Sequence, residues 1–571
     1  MRMIVDGAEY FLGAYENAVL AALQSLQTDR IISRIWNRDH TVWKSKPDGI
    51  VNRLGWLDAP RETMEQLPYI RSVLAPVFAE GHKDAVLLGM GGSSLAADIF
   101  AKMLGSHDGH PQLHILDTTD PLAIRQFAQQ FDWAKTLFFV SSKSGTTLET
   151  VSLFHYFYNS ALKEAGKRAC RNFIFITDPG SPMEELAHRL SLRHVFLSNP
   201  DIGGRYSALA FPGMVPAALL GFDIAGILNS ARTVAENEKA EFLTGKLNSG
   251  GAVLGAALGV LAKRGRNKLT FIFPPSWRPL GGWLEQLIAE STGKEGRGIL
   301  PVCAEKLNAP KSYNDDRLFV IFHRKEKINS PKISAVIDAG HPVITVRVAD
   351  RLQLGSQMFL WEMVTAVAGH IMEINPFDQP NVEASKVLAR RMIELYRKEK
   401  KLPPEKADLT TAECDVYGCP SAATPVEALA GFLAAAKRDA YVCLQVYLSP
   451  APEVDAALLQ LQEAIRKKCR VAVVSGYGPR YLHSTGQLHK GDAGSGLFIQ
   501  LTSNDVQDIE IPDYPGASGS TLTFGAIKAA QAMGDRQALI ELGRKVIRFH
   551  LKKNITANIQ SFAYSLAGRR Q

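Results

Sequence analysis

The sequence predicts an α/β fold, built as two tandem doubly wound, mainly parallel domains with helical N- and C-terminal segments. Three observations carry this. The strand candidates are almost wholly apolar runs, as expected for strands covered on both faces. Each is followed by a helical stretch, the alternation that produces parallel sheets with crossover helices. The alternation then restarts in the second half of the 571 residues, a length that suggests several compact units.

Taken in order, residues 10–35 read as helix, with Leu12, Val19, Leu20, Leu23 and Leu26 on one face. Strands follow at 84–88, 113–116, 136–140, 173–176 and 195–197, with a helix at 94–104. The second series has helices at 252–261 and 282–291, strands at 269–273, 318–322 and 343–346, and a long helix over 352–373. Residues 397–425 are polar and rich in Pro and charge, so an exposed insertion is expected there. Strands return at 441–447, 471–474 and 496–501, and 524–551 reads as a helical tail. The domain boundaries that follow are 1–45, 46–230, 231–514 and 515–571.

Composition narrows the function classes. Apolar residues make up 46% and charged residues 21%, an ordinary globular balance. Six scattered cysteines argue against a disulfide scaffold and fit a reducing cytosol, hence a cytoplasmic location. The Cys414/Cys419 pair lacks a second pair at ligand spacing, so no metal is expected. The N-terminus lacks a signal-peptide pattern, and the apolar stretch 208–222 is too short to span a bilayer and is broken by prolines. Net charge is +8, but the basic residues are dispersed without interleaved aromatics, which argues against nucleic acid and suits small anionic substrates.

Three turns after predicted strands could carry chemistry. Gly89-Met90-Gly91-Gly92-Ser93-Ser94 opens a helix but lacks the third glycine of a dinucleotide loop. Ser141-Ser142-Lys143-Ser144-Gly145-Thr146-Thr147 sets five hydroxyls and a lysine at one helix entrance, far more than an N-cap needs and what a phosphate requires. Gly203-Gly204-Arg205-Tyr206-Ser207 places a fixed positive charge beside glycines that permit close approach. Further on, Gln286, Glu290 and Lys294 share a helical face if the helix persists; Gly293 would end it, placing Glu290 near the negative pole, a setting suited to a proton-shuttling base. A plain Glu290–Lys294 surface pair is the competing expectation. His483 and His489 lie in a turn-like segment and could each act as acid or base.

Together, GMGGSSL, SSKSGTTLET, GGRYS, EQLIAESTGK and NPFDQPNVEASK resemble, in order, the motifs of the phosphoglucose isomerase (glucose-6-phosphate isomerase) family. That family has two tandem sugar-isomerase (SIS) domains. The 35–60 segment and HSTGQLHKG look most like the isomerase half of bacterial transaldolase–isomerase fusions; with no eightfold barrel preceding them, transaldolase activity is not expected.

The resemblance implies reversible isomerisation of glucose 6-phosphate and fructose 6-phosphate through an enediolate. Ser142, Lys143, Ser144 and Thr147 would hold the 6-phosphate, with Gly92 and Ser93 adjoining. Arg205 would stabilise the enediolate and Glu290 would move the proton between C2 and C1, with Gln286 on its helix. Lys386, with Gln379 nearby, would assist ring opening together with a histidine. The family's Gly-Gln-His motif precedes the lysine segment; here the similar Gly486-Gln487-Leu488-His489 follows it with one residue inserted, so His489 is the favoured histidine and His483 the alternative. Ser144-Gly145, Thr292 and Pro380-Asn381 depart from the family pattern.

No cofactor is implied, since the electrons rearrange within the substrate. The partners implied are a sugar phosphate and, as is common in the family, a second subunit of a homodimer that lends its histidine; with the motif order changed here, action of His489 within its own subunit is the alternative. A silent sugar-phosphate sensor and an isomerase of another phosphosugar, such as mannose 6-phosphate, are the rivals.

Overall fold

A computed structural model describes residues 3–133, 135–244, 249–325, 330–419 and 421–568. The chain opens with an antiparallel ribbon, β1 (Met3–Val5) and β2 (Ala8–Phe11). Its two-residue turn is Asp6-Gly7, both at positive φ (48° and 76°), the combination that favours a tight hairpin. This corrects the expectation of a purely helical segment over 1–45. The helices there are Glu16–Thr28 and Ile31–Trp36, and Leu20 points to solvent.

The first sheet consists of β3 (Asp84–Gly89), β4 (Gln112–Leu116), β5 (Thr136–Ser141), β6 (Phe173–Thr177) and β7 (His194–Leu197). Its order is β4-β3-β5-β6-β7, and every pairing is parallel. β3 and β5 lie at its centre and are buried almost throughout, which accounts for their continuous apolar sequences.

The second sheet contains β8 (Lys268–Ile272), β9 (Leu300–Val302), β10 (Arg317–His323) and β11 (Val343–Arg347), all parallel. The N-terminal ribbon extends it antiparallel to β11, giving the order β1-β2-β11-β10-β8-β9. The helices Gly250–Lys263 and Gln353–Ile371 pack beside it and are almost entirely buried.

To these two tandem units the chain adds a third sheet. It contains β12 (Leu409–Thr410), β13 (Cys414–Tyr417), β14 (Tyr441–Tyr447), β15 (Ala472–Tyr477) and β16 (Gly496–Ser503). A short ribbon, β17 (Glu510–Ile511) with β18 (Leu522–Thr523), precedes its last strand, β19 (Lys545–Leu551). The order is β12-β13-β19-β16-β14-β15, parallel except at the β13 and β12 edge.

Two expectations are corrected here. Residues 397–425 are not simply an exposed insertion, because β13 buries Cys414 and Val416 in the third core. The expected tail over 515–571 is not wholly helical: the helix Phe524–Glu541 stops, and β19 enters the sheet next to β16. Among the described residues, no helix is long and apolar enough to cross a membrane.

Candidate active site

Strand β5 delivers the hydroxyl-rich loop to the start of the helix Leu148–Ala165. The loop is held by its own side chains: Ser142 Oγ lies 3.1 Å from Thr147 Oγ1 and accepts the Gly145 amide at 3.2 Å. Gly145 sits at φ +68°, where a Cβ would stand 2.9 Å from the Met183 nitrogen, so this turn requires glycine. Thr147 is the helix N-cap, yet its side chain makes no capping hydrogen bond, which leaves the positive helix end available to an anion.

A cavity of about 220 Å³ opens beside this entrance, lined by Ser144, Thr146, Thr147 and Glu149 on one side. Opposite stands a face of the helix Val382–Glu399 that carries Lys386, and the third unit contributes His483, Lys490 and Gln531. Ser142 is buried behind the loop. Lys143 turns away from the cavity, its Nζ 2.5 Å from Asp178 Oδ2 and 2.7 Å from the Pro200 carbonyl. The expected phosphate lysine is therefore committed to an ion pair within the first unit.

His483 joins this cavity to the remaining expected residues. Its Nε2 lies 2.8 Å from Glu149 Oε1, which also accepts a hydrogen bond from Gln531 at 2.6 Å. Burial alone would raise the Glu149 pKa, but the His483 and Gln531 contacts outweigh it and hold the carboxyl below its ordinary value. The backbone carbonyl of His483 accepts the Gln286 amide at 2.8 Å, and the same amide donates to Glu290 Oε2 at 3.0 Å.

The other oxygen of Glu290 is 3.4 Å from Arg205 Nη1, a guanidinium almost completely buried. Arg205 also donates to Ser291 Oγ (2.7 Å), Gln379 Oε1 (3.0 Å) and the Pro376 and Asp378 carbonyls (2.8 and 2.9 Å). Such a fully engaged guanidinium is fixed before any ligand arrives. The turns of Gly92 and Arg205 meet backbone to backbone, since a Cβ on Gly92 would fall 2.1 Å from the Gly204 carbonyl oxygen. Ser93 lies partly exposed in the same turn.

Glu290, Arg205, Gln286 and Gln379 thus lie one layer from the cavity beside Thr147, linked to it through His483. The helix Leu280–Thr292 ends at Gly293 as expected. Lys294 does not pair with Glu290: past the helix end it reaches Asp378 Oδ1 at 2.7 Å, and burial lowers its pKa to about 8. Lys386 remains about half exposed, 3.8 Å from Glu383.

His489, the favoured histidine, is corrected by its surroundings. It is fully buried, with Nδ1 3.1 Å from the Tyr441 hydroxyl and Nε2 3.4 Å from Cys443 Sγ, and it does not line the cavity. Burial and neighbouring Lys490 push its pKa down to about 3, so it stays neutral near pH 7. In the Gly486-Gln487-Leu488-His489 stretch it is Gln487 that has a structural task. Gln487 accepts the Asn381 and Val382 amides at 2.9 and 3.2 Å and donates to Asn381 Oδ1 and the Gly293 carbonyl, pinning the start of the Lys386 helix.

Sequence reasoning missed Glu149, Lys490 and Gln531. A carboxylate in the first turn after a hydroxyl loop was a usable signal for Glu149. Gln531 carried none, because its partner lies 382 residues away.

The phosphoglucose isomerase family model matches residues 77–297. A glucose-6-phosphate isomerase of Rubrobacter xylanophilus is 30% identical over 387 residues, covering 58% of this chain and 87% of that protein. A probable glucose-6-phosphate isomerase of Methanococcus maripaludis is 26% identical over 382 residues, covering 59% and 84%. Among solved structures, a hypothetical protein of Thermus thermophilus shares the fold at TM-score 0.56 and 24% identity, over 68% of this chain and 99% of that one. A glucose-6-phosphate isomerase of Chlamydia trachomatis aligns at TM-score 0.57 and 17% identity, over 69% and 90%.

Proposed function

The chain belongs to the phosphoglucose isomerase family, and from that premise we propose that it interconverts glucose 6-phosphate and fructose 6-phosphate in the cytoplasm. The observation that carries the proposal is the chain of contacts from Glu149 to the His483 ring, from the His483 carbonyl through the Gln286 side-chain amide to Glu290, and from Glu290 by an ion pair to Arg205. It connects Glu290, taken here as the proton-transfer carboxylate, and the buried Arg205 to a cavity one layer away that is walled by a hydroxyl-rich helix entrance.

In this reading the phosphate docks at Ser144, Thr146 and Thr147, and that remote binding energy positions the reacting carbons. His483, oriented by Glu149, and Lys386 open the sugar ring by acid–base transfer, in place of His489. Glu290 then removes the C2 proton and returns it to C1. Arg205 offsets the charge that develops on the enediolate oxygens, and its prior engagement means little reorganisation as that charge appears. Ring opening and enolisation both conserve electrons within the sugar, so the chemistry calls for no redox partner.

The affinity of the 35–60 and HSTGQLHKG segments to the transaldolase–isomerase fusions belongs to the same proposal. So do domain limits that treat the third sheet, 409–551, as a unit of its own.

A coupled assay of fructose 6-phosphate formation tests the activity. Glu290→Gln is expected to lower kcat by about 10²–10⁴-fold, the usual contribution of a positioned base. Calorimetric binding of glucose 6-phosphate should survive the substitution. Near-normal turnover in that variant would remove Glu290 from the base role.

A further inference from the structure

A helix end carries an effective charge of only about half a unit, so a side-chain cation facing the hydroxyl-rich entrance would strengthen its hold on a dianionic phosphate. The loop's own lysine is not that cation, because Lys143 is held by Asp178 and the Pro200 carbonyl on the far side of the loop. Lys490 lines the cavity but is neutralised by Asp535, its Nζ 2.5 Å from Oδ1, with no exposed side-chain surface.

Two cations, Lys386 and Arg390, face the entrance from across the cavity, and the proposed function gives Lys386 to ring opening. The helix Val382–Glu399 presents Val382, Ser385, Lys386, Ala389, Arg390 and Ile393 to it, the spacing of a single helical face. Arg390 lies one turn beyond Lys386 on that face. Its guanidinium is 2.7 Å from Glu383, which also stands 3.8 Å from Lys386, and its side chain is 62% exposed. It is therefore an exposed, incompletely shielded cation on the cavity wall, paired with a carboxylate that a phosphate could displace.

Building on the proposed isomerase activity, we propose that Arg390 is the substrate-specificity residue that binds the terminal phosphate, taking the part expected of Lys143, with Glu383 as its internal competitor. The guanidinium fork matches two phosphate oxygens at once, which an ammonium cannot do. Exchanging a monoanionic carboxylate for a dianionic phosphate favours the bound state. The same exchange discriminates against sugars without the phosphate, which offer nothing to displace Glu383.

The test is steady-state kinetics with fructose 6-phosphate on the full chain, paired with calorimetric titration by glucose 6-phosphate. Arg390→Met keeps the apolar stem and should raise KM about tenfold or more, with kcat within about threefold of wild type, as for loss of a charge-assisted pair. Its KM should also respond less steeply to added salt. Glu383→Gln should move KM the other way. Arg391→Met, an exposed neighbour outside the cavity, should match wild type.

A KM for Arg390→Met within twofold of wild type, or equal shifts in the Arg390 and Arg391 variants, would overturn the assignment while leaving the isomerase activity standing. Absent turnover in the wild type, with glucose 6-phosphate binding that still weakens in Arg390→Met, would defeat the activity and support the phosphate site. Absent turnover together with absent binding would defeat both.

Discussion

A histidine serves as an acid–base group only where substrate or water can reach it, and that condition separates His483 from His489. The first faces the cavity with a carboxylate behind it; the second is sealed between Tyr441 and Cys443. His483→Gln is expected to lower kcat by about 10²-fold or more, whereas His489→Gln should keep turnover and change stability toward acid. The unfolded imidazole binds its proton near 6.5, the folded one only near 3. Between those values the unfolded state holds more protons, so stability is lost as pH falls through this window.

Urea unfolding at pH 7 and pH 4.5 checks this. The wild type should lose more free energy on acidification than His489→Gln, and parallel losses would show that the imidazole does not titrate as described. Residue type and spacing singled out the hydroxyl-rich loop in the sequence, whereas Arg205 and Glu290 were singled out by the resemblance, since an arginine beside glycines and a helical Glu–Lys spacing are common by themselves. Burial is not written in spacing. Hence His489 looked catalytic, and Lys143 looked free until Asp178, 35 residues away, turned out to hold it.

Among elements, the helix Phe524–Glu541 shows how a buried charge can organise a junction. Its Asp535 is fully buried and accepts from Tyr481 (2.7 Å), Gln445 (3.0 Å) and Ser385 (3.2 Å), besides pairing with Lys490. Four separate segments therefore converge on one carboxylate, next to the cavity wall that Lys490 provides. Asp535→Ala would leave Lys490 buried without its counter-charge, and a loss of about 3–5 kcal/mol is expected. Denaturant unfolding measures it; a loss below about 1 kcal/mol would mean that Lys490 finds another partner.

The parallel strands of the first sheet, and β8, β10, β11, β14, β15 and β16 of the other two, were legible as apolar runs, because strands covered on both faces admit few polar residues. The short or edge strands β1, β2, β9, β12 and β13 were not. β19 was not, since only a short turn separates it from the preceding helix and its apolar residues continue that helix's pattern. The Asp6-Gly7 hairpin carried a readable signal that an emphasis on helical periodicity passed over.

At the scale of the molecule, the third sheet completes the site. Arg480 reaches from it to Asp98 (2.8 Å) and Asp117 (3.0 Å) of the first unit, and Lys528 and Ser449 both contact Asp120. These contacts seat the Arg480–His483 turn against the first unit, so that His483 meets Glu149 there and, through its carbonyl, Gln286 of the second unit. The resemblance implied a homodimer lending a histidine across its interface, whereas the ring-opening histidine proposed here, His483, meets Glu149 within its own chain. Turnover per chain should accordingly stay constant on dilution from about micromolar to nanomolar protein, even where sedimentation shows any oligomer dissociating, because mass action affects only groups shared between chains. A specific activity that falls in step with dissociation would mean that a partner's residue is needed. Arg480→Met supplies the converse case: loosening the turn within the chain should raise KM at every protein concentration, and concentrating the protein should not restore it.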